Sequence, residues 1–177
     1  MSDNANIAKK ELDLSRKVNV RNVTDLDTYF RCIERPFDAK VAKKSKVLFP
    51  IGEVMSQIYA KNPDFVGIDG KGGHATFYIE DKEVRVEAGF DSEDGKNTQE
   101  IIDEKAIIKL FEIEKNESFL KALKSNVRTV GEKQTLREIL LNGKVNEHDK
   151  ISIAEKYLLG EDVEIPKNKQ GRPPKTE

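Results

Sequence analysis

An alternation of apolar and polar residues in the first half of the chain, a helical stripe set inside it, and a change to helical period after residue 102 together predict an α+β fold. The expected architecture is an N-terminal antiparallel β-rich module with one inserted helix, followed by a cluster of short C-terminal helices. The divisions expected are an N-terminal arm at 1–12, a β-rich module at 13–102, a helical module at 103–160 and a basic, proline-bearing tail at 161–177. Both arms are polar and lack sustained periodicity, and three of the six prolines fall in the tail, which is linker composition.

The β-rich module opens with LDLSRKVNV, where Leu12, Leu14, Val18 and Val20 share one face of an extended chain. Tyr29, Phe30, Cys32 and Ile33 begin a β-branched and aromatic segment that Pro36 interrupts. Phe37, Ala39 and Val41 then alternate with Asp38 and Lys40, and Val47 to Phe49 resume extended structure. Short strands joined by tight connections, arranged as an antiparallel meander, follow from this pattern. The inserted helix is PIGEVMSQIYAKNP. Ile51, Val54, Met55, Ile58 and Tyr59 form one stripe, with Pro50 suited to the first turn and Asn62-Pro63 to the stop.

Phe65 to Ile68 and Ala75 to Ile79 read as strands of a hairpin turned by Asp69-Gly70-Lys71-Gly72-Gly73, with His74 beside it. At least one of the three glycines should have positive φ. Val84, Val86, Ala88 and Phe90 alternate and favour a strand, with a short helix capped by Asp81 as the alternative. A short strand is expected at Gln99 to Ile102. Beyond it, Asp103 can cap a helix carrying Ala106, Ile107, Leu110 and Phe111, and Phe119, Leu120 and Leu123 form the buried row of the next. Thr129 and Glu132 have capping-box spacing ahead of a helix ending at Gly143, and Asn146 or His148 opens a last helix that stops at Gly160.

Composition narrows the functions. Lys+Arg 31 against Asp+Glu 32 leaves a net charge of -1 in 177 residues, which excludes a globally basic nucleic-acid coat and a strongly acidic DNA mimic. No apolar run approaches the ~18 residues of a membrane span, and the N-terminus lacks a signal peptide's apolar stretch, so cytosolic synthesis and no membrane partner are expected. One cysteine permits neither an internal disulfide nor a multi-cysteine metal site, and no cofactor is expected. Cys32, in an apolar segment, reads as a small buried hydrophobe.

The most distinctive segment is GIDGKGGHATFYIED. Its glycines could let backbone N–H groups approach a phosphate beside Lys71, but no G-x-x-x-x-G-K-[ST] is present and a strand follows, so Asp69, Gly70, Lys71, Gly72, Gly73 and His74 are read as a structural turn. A base at His74 would need Asp69 as its orienting carboxylate, and no motif supplies a nucleophile. Asp91, Glu93 and Asp94 lack the ligand order of a calcium loop. In the tail, Lys167, Lys169, Arg172 and Lys175 are candidate DNA contacts. Gly171-Arg172-Pro173 resembles an AT-hook with Gln170 where that motif has arginine, a form able to enter an A·T-rich minor groove weakly and with strong salt dependence.

Across PIGEVMSQIYAKNPDFV, the glycine-rich segment and RVEAGFDSEDG, the chain resembles a family of small proteins of tailed bacteriophages that infect Gram-positive bacteria; the resemblance runs from about Val20 to Leu159. It implies a non-enzymatic structural or virion-assembly accessory protein of the head or neck. Such a protein would be made in the host cytoplasm and carried in the virion, with other phage structural proteins as its homo- or hetero-oligomeric partners. The alternative is a DNA-binding regulator or packaging-related factor that uses the tail.

Overall fold

A computed structural model describes residues 11–163, and the α+β expectation holds: strands come first and helices dominate the second half. Strand β1 (Lys17–Asn22) is the centre of a three-stranded antiparallel sheet ordered β4-β1-β5, between β4 (Lys46–Pro50) and β5 (Phe77–Ile79). A separate antiparallel pair joins β2 (Thr28–Arg31) to β3 (Asp38–Val41). A single meander is therefore not formed. Buried Asn22 explains the break: its side-chain amide donates to the carbonyls of Leu26 and Val41, while its carbonyl oxygen accepts from the Thr24 amide and hydroxyl. That network bends the chain after β1 instead of letting it turn straight back.

Helix α1 (Ile51–Tyr59) carries the stripe read from sequence and buries Ile51, Val54, Met55 and Ile58, although Tyr59 is exposed. Pro50 is its N-cap rather than its first turn. Three local expectations fail. Phe65 to Ile68 is no strand, because Asn62-Pro63 starts a helix as well as stopping one: the Asn62 side chain accepts from the Asp64 amide and opens α2 (Pro63–Val66). The favoured strand over 84–90 gives way to its alternative, α3 (Lys82–Glu87), since the Asp81 carboxylate takes the Val84 amide and wins over the alternation. Gln99 to Ile102 is not a strand; the Gln99 amide donates to Asp91 Oδ1 at 2.8 Å and its side chain reaches the Phe77 carbonyl.

In the second half, α4 (Glu104–Leu110), α5 (Asn116–Asn126), α6 (Val130–Leu141) and α7 (His148–Leu159) follow the expected order. Asp103 caps α4, the Thr129/Glu132 capping box is formed, and Gly160 ends α7 in the left-handed region. Glu147 is the N-cap of α7, without a side-chain cap bond. No helix among the described residues is long and apolar enough to cross a membrane.

Two apolar clusters result. One gathers Val18 to Phe90 around Phe30, Phe49, Phe65 and Phe77, whose rings meet at 4.9–5.7 Å in tilted and edge-on pairs. The other gathers Ile107 to Ala154 from the four C-terminal helices. Leu12 packs on the first cluster and Val163 on the second, so apolar contact reaches into the ranges read as arms. Cys32 is buried, and burial pushes its thiol pKa up, as a small hydrophobe requires.

Candidate functional site

The glycine-rich loop sits where the two clusters meet, and it is a reversal without a hairpin. Phe65 and Val66 belong to a helix, and β5 pairs with β1 instead. The loop is closed by its own backbone: the Gly72 amide donates to the Val66 carbonyl at 2.8 Å and the Ile68 amide to the Gly73 carbonyl at 3.1 Å. Gly70 and Gly72 have φ of 72° and 86°, meeting the expectation of positive φ. Gly73 does not, but a Cβ there would strike the Asp69 carboxylate. Gly67, outside the segment singled out from sequence, is equally constrained, with φ 66° and the Gly73 carbonyl where its Cβ would stand.

Asp69 does not orient His74. Its Oδ1 accepts the amides of Lys71 at 2.8 Å and Gly73 at 2.9 Å, an Asx turn that organises the loop itself. Lys71 is exposed. His74, at φ 59°, turns toward the helical module and its Nδ1 donates to Glu132 Oε1 at 2.7 Å. The second Glu132 oxygen accepts the Arg128 and Thr129 amides at 2.7 and 2.8 Å. One buried carboxylate thus completes the start of α6 and ties it to a loop of the other module.

Two further contacts run beside it. The Asp25 amide donates to Thr135 Oγ1 at 3.2 Å, and Gly131 lies so close to Thr24 that a Cβ would come within 2.7 Å of the threonine methyl. Lys44 bridges Asp25 and Glu104, and Lys144 holds the other Glu104 oxygen. Bonds from Lys144 and Lys44 hold the Glu104 carboxyl below the usual glutamate range.

Thr24, Thr129 and Gly131 line a cleft of about 400 Å³ between the modules, walled by Tyr29, Asp64, Ile68, His74, Thr76 and Val130. A histidine on a carboxylate is the oriented base of many hydrolases, but the hydroxyls here are committed. Thr76 donates to Asp64 Oδ1 at 2.7 Å, Thr24 donates to Asn22, and Thr129 Oγ1 accepts the Glu132 amide. The His74–Glu132 bond joins the two modules.

Other carboxylates are also occupied. Asp91 pairs with Arg85 and accepts from Gln99, Asp94 binds Lys96 and Ser92, and no group of three or more metal-ligating side chains is found among the described residues. Lys96 and Ser92 draw the exposed Asp94 carboxyl down to about 2. Glu53, which the sequence reading passed over, is buried on α1 and accepts the Ile33 and Glu34 amides and the Gln57 side chain. A glutamate interrupting the apolar stripe of α1 was the available signal. Lys167, Lys169, Arg172 and Lys175 lie outside the described residues. Compared with known proteins, the chain matches no family model, no curated protein and no solved structure.

Proposed function

We propose that this chain is a non-enzymatic bacteriophage structural or virion-assembly accessory protein of the head or neck, made in the host cytoplasm and acting in the virion through contacts with other structural proteins. The observation that carries the reading is the character of the junction cleft. Thr24, Thr76, Thr129, Asp27 and Asp64 in it bond to other groups of the chain, while Tyr29, Ile68 and Val130 on its walls are 61%, 48% and 76% exposed. Apolar side chains gathered at a cleft favour protein contact over chemistry. Mass spectrometry of purified particles is the test: the protein should be present at a fixed ratio to the capsid protein, and its absence overturns the proposal.

A second reading, DNA contact through the tail, is favoured by the four cations Lys167, Lys169, Arg172 and Lys175 around Gly171-Arg172-Pro173. Truncation after Glu164 should abolish low-salt DNA binding. Unchanged binding, or none to lose, removes this reading.

A further inference from the structure

The ladder registers show which strand edges are open. The Asn22 amide donates to the Ser45 carbonyl and the Ile51 amide to the Arg16 carbonyl, so the residues of β4 that bond β1 include Val47 and Phe49, and the backbone groups of Lys46 and Leu48 point away from the sheet. By the same reasoning the Cys32 amide, donating to the Phe37 carbonyl, places the backbone groups of Asp38 and Lys40 on the outer edge of β3.

The remaining two edges are stopped by side chains. On β5, Gln99 Nε2 donates to the Phe77 carbonyl and Arg85 to the Ile79 carbonyl. On β2, Gln57 Nε2 donates to the Arg31 carbonyl. No hydrogen bond closes the edges of β3 and β4 among the described residues, and both face one cleft of about 300 Å³. Half-exposed Phe37 and Leu48 line it. Its charged lining is Lys17, Arg35 and Lys40, the last already paired with Asp27, against one exposed carboxylate, Asp38, because Glu53 is buried and already accepts three donors.

We infer that the cleft between β3 and β4 is a strand-addition site that takes up an extended segment of a partner protein in which acidic and apolar residues alternate. Such a segment would hydrogen-bond the outward groups of Asp38 and Lys40 on one side and Leu48 on the other, in the open end of the cleft, since the Ala42–Ser45 turn closes it at Lys46. Its apolar side chains would turn to the inner face beside Phe37 and Val47, and its acids to the outer face, where the register sets Leu48 beside Lys17. The inference stands on the strand edges alone, so it can fail without touching the assembly proposal.

The test is an NMR titration of the isotopically labelled full chain with a blocked heptapeptide, Glu-Val-Glu-Leu-Glu-Val-Glu, up to about 1 mM. Saturable shifts and slowed amide exchange are expected at Asp38, Lys40 and Leu48. The analogue with lysine in place of glutamate should bind at least about tenfold more weakly. Leu48→Pro removes an outward N–H while sparing the β1 ladder, as edge positions allow, and should weaken binding about tenfold with the fold intact by circular dichroism. Lys40→Pro on β3 provides the second variant with the same expectation. No shifts, shifts centred elsewhere, or equal binding of the two peptides overturns the inference. So does concentration-dependent dimerisation without peptide that protects the same three amides, since a second copy would then be the occupant.

Discussion

The two apolar clusters share no member, and they solve the problem of backbone satisfaction differently. The N-terminal one is assembled from short strands and short helices far apart in sequence, and much of its backbone is irregular. Buried polar side chains complete it: Asn22 at the first bend, Glu53 under residues 33–34, and Gln99 behind β5. The C-terminal cluster is made of consecutive helices whose backbone bonds are internal, and its needs arise at helix ends, met locally by Asp103, Thr129 and Gly160 and across the cluster by Lys150 and Tyr157, which donate to the Phe111 and Val127 carbonyls. Irregular backbone must borrow donors and acceptors from distant side chains, whereas a helix asks for help only at its ends.

The largest effects should come from the aromatic centres. Phe77→Ala and Phe119→Ala each remove a fully buried ring and should each cost about 3–5 kcal/mol in urea unfolding. If the clusters are separate units, hydrogen exchange will rise mainly in the module that carries the substitution; an equal rise in both would show one cooperative core and dissolve the distinction. Next comes the loop. Gly67→Ala places a Cβ on the Gly73 carbonyl at φ 66° and should cost more than about 2 kcal/mol, while exposed Lys71→Ala should stay within about 0.5 kcal/mol by thermal melting.

Smaller again is Thr129→Ala, expected to cost about 1 kcal/mol through the lost cap of α6, with the His74–Glu132 bond retained. The smallest is Glu104→Gln, about 0.5 kcal/mol at neutral pH. Because Lys144 and Lys44 depress the folded carboxyl, its stabilisation is complete above the usual glutamate range and is lost as pH falls through the lowered value. Denaturation curves from pH 7 to acid should show the difference between wild type and Glu104→Gln shrinking. A constant difference would mean that the Lys44–Glu104–Lys144 bridge does not couple the modules.

Legibility followed the same divide. The caps at Asp103, Thr129 and Gly160 and the stripe of α1 were readable because cause and consequence lie within a turn of each other. At the site, His74 and the glycines stood out and Glu132 was visible as the closing residue of a capping box, but not their meeting. The two residues are 58 positions apart, and nothing local distinguishes a glutamate that only caps from one that also clasps. Segment 65–68 was misread, and 84–90 stood open between a strand and the Asp81-capped helix, because apolar alternation over so few residues also fits one side of a single helical turn; the Asn62 and Asp81 caps decide both.

By itself the sequence determined what depends on near neighbours: an α+β division, four capped or periodic C-terminal helices, a tight glycine loop and a buried thiol at Cys32. Only the tertiary structure decided that β1 sits between β4 and β5, that His74 answers to Glu132 rather than Asp69, and that the edges of β3 and β4 stay open on one cleft. Strand order and side-chain partnership are chosen by competition among distant segments for the same buried surface and the same unsatisfied backbone groups, and that competition has no local signature.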